Sequence, residues 1–388
     1  MFKLREVHSQ KSHRDVSLDL IRIIAIIMVL IVHSREFFFT SISDPLILMV
    51  LRLVGTIGVP LFVILTGFLM TDRNYQDNSY LKNYIQTNFL HLLIAFEVWN
   101  ILWLLLDRIQ WIQYPGGGFP LTIERVLKAA LFMGDTGTAM WYMPMILAVY
   151  LGIPVTSIAF QKLLTTKSIY SIILVIAIVY FGTIIPSLSD ISNAFGWNLK
   201  IHSVINVNIF GASVWGNSVW ILYILIGYLI KHGAFDRISS KTILVFGCIL
   251  PTTVYEVFEW RTIIHNTASI RNYACIFVVI IATGLFILVK RCKTHLTKCP
   301  KQITHFISTM SRYSFSLYMI HLFVIGFFVR LLTNNHAFPI GDSFSGMIHL
   351  LLYLLFLGLV IIVSLSCTWI VSRIPILKKM AFAYQLIN

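Results

Sequence analysis

Three ionisable residues stand inside one apolar run near the start of the chain: Asp19, Arg22 and His33 in LDLIRIIAIIMVLIVHS, residues 18 to 34. An imidazole titrates near neutrality, so it can take a proton from a hydroxyl and deliver it to a leaving group. A guanidinium grips phosphate or carboxylate through paired N–H donors. Asp19, three residues before Arg22, is its natural counter-ion on one helix face. At 100° per residue, Asp15, Asp19, Arg22, Ile26 and His33 fall within about 60° of one another. A helix here therefore carries them as one stripe, aimed at other helices or at water and not at lipid. Arg22 and His33 are about 16 Å apart along the axis, so they cannot touch and each needs its own partner.

The elements that position this stripe follow from composition. The chain has 388 residues, of which 57% are hydrophobic and 12% charged, and its mean hydropathy is +0.82. Soluble domains carry about 25% charged residues, so this is a membrane protein. A formal net charge of +14 would suit nucleic acid if the basic residues shared one soluble face. They are scattered between apolar runs, which is charge that sets topology, and no nucleic-acid partner is expected.

The first run follows a basic N-terminus as a signal peptide would, but it contains Asp19 and Arg22 and no small-residue cleavage site follows, so it reads as a retained helix. The five cysteines are dispersed and imply no disulfide framework. Cys292, His295 and Cys299 match no zinc spacing, and no metal site is expected.

A membrane core about 30 Å thick needs about 20 helical residues. That ruler gives spans near 18–39, 46–70, 88–106, 140–160, 169–185, 217–231, 242–260, 273–290, 315–332 and 347–371. The fold class is thus all-α, a polytopic bundle of about ten transmembrane helices. The second span contains GTIGVP, where Gly55, Gly58 and Pro60 suggest a break lining a cavity.

With both termini on one side, twenty of the 30 Lys and Arg fall on that side, eight on the other, and Arg22 and Arg52 within spans. The positive-inside bias makes both termini cytoplasmic. Residues 1–17 and 373–388 are then cytoplasmic tails of a single domain covering 1–388. Segments 107–139 and 186–216 are long external connections rich in Gly, Trp and Asn, and loops of that length usually carry function or are disordered.

Depth separates the polar groups. Asp15 and Asp19 lie where helix-end charges snorkel, so plain interfacial anchoring competes with a functional role. His33 lies in the outer half of its span, where an ionisable group is costly and is by default functional; the competing role is a packing histidine bonded to a neighbour. Tyr318 and His321 are three apart with Ser314 a further turn back, so all three share a face, as catalytic groups or as hydrogen bonders between helices. Glu97 and Asn100 are a mid-membrane acid and amide one turn apart, either a histidine partner or a protonated structural pair. Trp141 and Tyr142 begin a span at the outer interface, where an aromatic belt is the default and sugar stacking the alternative.

Arg22, ten intervening residues and His33 resemble the first-helix motif of the acyltransferase-3 family of integral membrane acyltransferases. GVPLFVILTGFLM (58–70), MWYMPMILAVYL (140–151), ILYILIGYLI (221–230) and SFSLYMIHLFV (314–324) resemble further family segments, in order and across nearly the whole chain. The resemblance implies a stand-alone O-acyltransferase of the bacterial cytoplasmic (inner) membrane, similar to the enterobacterial common antigen O-acetyltransferases and the acyltransferases of biofilm polysaccharide. Such a protein moves an acyl group, most often acetyl, from cytoplasmic acyl-CoA to a hydroxyl of a surface polysaccharide or lipid-linked glycan, with acetyl-CoA or another acyl-CoA as donor substrate and no resident cofactor.

The resemblance makes His33 the essential histidine and Arg22 its partner, with Asp19 beside it. Thr66 stands where the family commonly has Ser. The loop after the second helix, usually basic in the family, offers only Arg73 and Lys82, so contact with CoA phosphates leans also on Arg14, Arg22 and the basic segment 290–312. Glu97, Asn100, Trp141, Tyr318 and His321 are supporting candidates. A transporter or flippase of lipid-linked sugar, using the same charges as a proton path, is the reading from another class.

Overall fold

Asp15 opens the first helix: its side chain accepts from the backbone N–H of Ser17 at 3.0 Å and from the Ser17 hydroxyl at 2.6 Å, satisfying donors that a helix start leaves without partners. Burial would raise this carboxyl, but Lys293 and Ser17 together hold it below the usual carboxylate range. From there α1 runs over Val16–Ser34. The computed structural model describes residues 14–39, 44–108, 122–131, 141–165, 168–197, 208–209, 212–213, 219–265, 267, 269–270, 272–334 and 346–373. The tails 1–13 and 374–388 and most of segments 107–139 and 198–216 lie outside the described residues.

Among the described residues nine apolar helices follow: α2 (Pro45–Met70), α3 (Asn78–Leu104), α4 (Tyr142–Thr165), α5 (Ile169–Ala194), α6 (Val219–Lys231), α7 (Ser240–Ile264), α8 (Ile276–Arg291), α9 (Lys301–Asn334) and α10 (Gly346–Val371). Eight of the ten, all but α6 and α8, are long and apolar enough to cross a membrane. The fold is the expected all-α polytopic bundle, with, among the described residues, one two-residue antiparallel pair, Asn208–Ile209 against Ala212–Ser213.

Helices α3, α5 and α7 each contain a π-turn, at Ile85–Phe89, Tyr180–Ile184 and Ile243–Ile249. Several helices outrun their expected spans, because a helix continues past the apolar slab wherever its polar end finds partners. Thus α9 begins at Lys301, well before residue 315, and α5 continues to Ala194, turning the first part of the expected external segment 186–216 into helix.

The GTIGVP stretch differs from expectation: α2 is one continuous helix through Pro60. Its glycines serve close packing and not a break. A Cβ on Gly55 would meet Val32 Cβ at 2.6 Å, and one on Gly58 would meet the Ala25 carbonyl oxygen at 2.8 Å, so α1 lies directly against α2. Further along, a Cβ on Gly67 would strike the Ile224 carbonyl and one on Gly227 the Ile64 carbonyl. Helix α6 therefore crosses α2 backbone to backbone, the kind of approach that small residues allow in membranes.

The charged residues sort to two faces. On one, Lys293 pairs with Asp15 at 2.8 Å, Lys231 with Asp72 at 3.4 Å, and Arg291 donates to the Phe235 carbonyl at 2.9 Å. On the other, Asp44 binds His349 Nδ1 at 2.8 Å and accepts the Gly346 N–H at 2.8 Å, while Ser34 and Tyr353 hydroxyls meet at 3.0 Å. These pairings gather the polar connections between helices at the two ends of the bundle. Helices α2, α4 and α9 bury most of their span within the bundle, whereas α5, α7 and α10 turn most of theirs outward.

Candidate functional site

The stripe on α1 faces α9. Asp19, 2% exposed, accepts five hydrogen bonds: from Arg14 Nε (2.7 Å) and Nη2 (3.0 Å), Arg22 Nη1 (3.2 Å), Ser308 Oγ (3.0 Å) and Ser311 Oγ (2.8 Å). Arg22 also reaches Ser311 Oγ at 3.4 Å, and Arg14 Nη2 reaches the Ser308 carbonyl at 3.3 Å. A buried carboxylate is tolerable only with its lone pairs filled and counter-charge beside it; Asp19 has both. Ser308 and Ser311 escaped the sequence reading. Their spacing was the available signal, since 308, 311, 314, 318 and 321 form one continuous polar stripe at helical period.

Beside this cluster opens a cavity of about 600 Å³. Arg14, Asp15, Asp19, Arg22 and Arg73 line its basic end. Arg73 is aimed by bonds from Nε to the Leu69 carbonyl (3.1 Å) and from Nη1 to the Tyr80 hydroxyl (3.0 Å). Beyond, the walls turn apolar, with Leu65, Thr66, Met143 and Ile146 among the lining, and the far end is reached at Val29, Tyr142, Ser314 and Tyr318. Tyr142 and Tyr150 line this space; the sequence reading gave Tyr142 an interfacial belt and did not single out Tyr150. The cavity thus follows α1 from Arg14 to Val29, about 22 Å at 1.5 Å per residue.

His33 stands one helical turn beyond Val29. Its ring centroid is 5.3 Å from that of His321 on α9, whose own turn carries Tyr318. His321 is fully buried, and its Nδ1 lies 2.6 Å from the Tyr318 carbonyl oxygen. Tyr318 in turn meets Tyr142 at 5.3 Å between centroids. Ring contacts continue to the bundle end: Trp141 lies 6.3 Å from Tyr142, 5.5 Å from Tyr273 and 6.4 Å from Trp220. Trp141 is still 37% exposed. The arrangement sets an arginine-lined mouth at one end of a largely apolar passage and a histidine pair one helical turn beyond the other.

The structure therefore brings Arg14, Asp19, Arg22, Arg73, Ser314 and Tyr318 around one cavity and sets His33 and His321 together beside its far end. Lys82 is exposed on the surface after α2 and lines no part of it. Glu97 and Asn100 remain on α3 away from the cavity lining, with Asn100 buried. Among the described residues no group of His, Cys, Asp and Glu is arranged to hold a metal ion.

Comparison with known proteins agrees with this layout at the level of family. A family model described as an acyltransferase domain matches residues 15–373, from the cap of α1 to just past the end of α10. No curated protein and no solved structure matches the chain. With the match covering nearly the whole chain and the described helices forming a multi-pass bundle, the protein belongs to the acyltransferase-3 family of integral membrane acyltransferases.

Proposed function

We propose that this membrane acyltransferase moves an acyl group, acetyl in the simplest case, from cytoplasmic acyl-CoA to a hydroxyl of a surface or lipid-linked carbohydrate in the bacterial inner membrane. One observation carries the reading: a single cavity begins at three arginines and ends one helical turn from His33. The positive-inside bias assigns the arginine end to the cytoplasm, where acyl-CoA is found. Arg14, Arg22 and Arg73 supply charge-assisted donors for its phosphates, and the apolar passage suits the uncharged arm that carries the thioester.

In this reading His33 takes the proton of the acceptor hydroxyl as its oxygen attacks the thioester carbonyl carbon. A C–O bond forms, the C–S bond breaks, and the thiolate leaves with the electron pair and takes up the proton that His33 releases. Alternatively the imidazole itself attacks first and holds the acyl group until the hydroxyl displaces it. Trapping radiolabelled acyl group on the purified chain, with its loss in His33→Ala, separates the two routes. Trp141, exposed at the histidine end beside Trp220 and Tyr273, offers a sugar ring a flat aromatic surface.

The test is mass spectrometry of surface glycans from cells carrying the wild-type chain, His33→Ala or Arg22→Ala. The O-acyl mass increment should be present in the first and missing in the others. Equal increments in all three would sink the enzymatic reading, and pH-coupled movement of lipid-linked sugar without acyl-CoA would replace it with a transporter.

A further inference from the structure

His321 presents a problem of hydrogen-bond satisfaction. A carbonyl oxygen only accepts, so the 2.6 Å contact between His321 Nδ1 and the Tyr318 carbonyl requires the proton on Nδ1. In the neutral ring Nε2 is then a bare lone pair. It is buried and has no hydrogen-bond partner in the structure. A buried acceptor without a partner carries the full desolvation penalty, and native proteins rarely leave one so unless it has work to do. The neighbouring ring is His33, 5.3 Å between centroids and tilted by 50°. Ring nitrogens lie about 1 Å from the centroid, so two nitrogens facing each other across this gap stand roughly 3 Å apart, within hydrogen-bonding range.

We propose that His321 is a positioning residue for His33: its Nε2 accepts the His33 N–H, with the Tyr318 carbonyl fixing the His321 tautomer from behind. The inference rests on the function proposed above. Which nitrogen of a reacting histidine is basic is set by the bond the other makes. With one His33 nitrogen donating to His321, the other is left bare to meet the acceptor hydroxyl. When His33 becomes an imidazolium, the His321 lone pair and the carbonyl behind it stabilise the new charge without any group becoming an anion. A neutral partner of this kind suits a dry site, where a carboxylate would carry a large desolvation cost.

Packing and positioning make opposite demands at residue 321. Phe keeps a flat ring against His33 and Tyr318 but has no nitrogen; Gln loses the ring but keeps an amide oxygen that can accept the His33 N–H. Transfer of radiolabel from acetyl-CoA to glycan is measured in inverted membrane vesicles from cells expressing the full chain, and acetyl-CoA affinity is measured on each purified variant. We expect His321→Phe to lower kcat about 100-fold with the KM for acetyl-CoA unchanged, and His321→Gln to retain at least about tenfold more activity than Phe, with an altered pH–rate profile. Equal rates for the two variants, or a Phe variant faster than Gln, would overturn the proposal while leaving the His33 mechanism intact. Full activity in His33→Ala would instead overturn the mechanism and this inference with it. Wild-type affinity for acetyl-CoA in each variant separates these outcomes from misfolding.

Discussion

At one end of α1 the carboxylate of Asp19 accepts five hydrogen bonds from two arginines and two serines. At the other end, about 21 Å along the same helix, His33 and His321 pack as rings while His321 Nε2 stays unbonded. Both ends face α9, and both are polar groups within a membrane bundle, yet one is saturated and the other keeps an acceptor in reserve. Saturation suits a place that must hold charge between binding events, since an unpaired buried ion is far more costly than a paired one. An open lone pair suits a place where a neighbouring ring must be held in one tautomer while a proton arrives at it and leaves. In the mechanism proposed above, the contrast separates binding of an anionic donor from the chemistry performed on it.

The strongest way to break that division is His33→Ala. If the ends divide the work, acyl transfer should fall by about 10²–10⁴-fold while acyl-CoA binding, measured by calorimetry on the purified protein, stays as in the wild type. A fall in donor affinity parallel to the loss of turnover would mean that the histidine end also binds the donor, and the two-end picture would fail.

Asp19→Ala attacks the other end and should act on stability first. Removing the shared acceptor strands Arg22, buried to 14% exposure, and leaves Ser308 and Ser311 without their acceptor. Loss of one partner from a buried pair costs about 3–5 kcal/mol, enough to lower the unfolding temperature in detergent substantially. An unchanged unfolding temperature would show that Arg22 finds another anion in the cavity, which would itself sharpen the identification of the mouth as an anion site.

How far these two ends were legible in the sequence follows the same physics. The α1 stripe was readable because helical period fixes which residues share a face, and the structure turns that face to α9. Ser314, Tyr318 and His321 were readable for the same reason. What periodicity does not report is which two helices meet, so the juxtaposition of His33 with His321, and of Asp19 with Ser308 and Ser311, had to come from tertiary packing. The GTIGVP stretch was misread because glycine and proline weaken a helix locally, while in α2 the need to bring Gly55 and Gly58 against α1 and Gly67 against α6 decided the outcome. The apolar ruler located the apolar helices, eight of them long enough to cross a membrane among the described residues, but not their ends, since α9 and α5 continue beyond the apolar slab on polar contacts.

A smaller effect is expected at Arg14, the most exposed member of the mouth cluster at 28%. It is free to trade Asp19 for a phosphate, because Asp19 keeps Arg22, Ser308 and Ser311 when Arg14 leaves. Arg14→Gln should therefore raise the KM for acyl-CoA about tenfold, one charge-assisted bond at 1.4 kcal/mol per decade, with kcat unchanged. The wild-type advantage should shrink at high salt, where partly exposed charges are screened. A drop in kcat at unchanged KM would move Arg14 from the binding end to the chemistry.

The smallest effect concerns a third polar junction, which tests whether saturation alone makes an end rigid. At the histidine end of the bundle, Asp44 ties the start of α2 to the start of α10 through His349 and the Gly346 N–H, with the Phe39 ring tilted against the His349 ring at 4.5 Å between centroids. Burial would raise the Asp44 carboxyl, but the Gly346 amide and His349 hold it below its ordinary value. A depressed carboxyl contributes stability that is complete above the unfolded value of about 3.9 and is lost as pH falls through the lower, folded value. The Asp44 contribution to unfolding temperature should accordingly be flat from pH 8 to pH 5 and decline below about pH 4, by roughly 2 °C, and Asp44→Asn should remove that decline. Because Asp44 lies apart from the cavity lining, acyl transfer at neutral pH should not change in this variant. If it does, the junction between α2 and α10 is coupled to His33 through Ser34 and Tyr353, which meet at 3.0 Å next to it, and the histidine end is a larger mechanical unit than the ring pair alone.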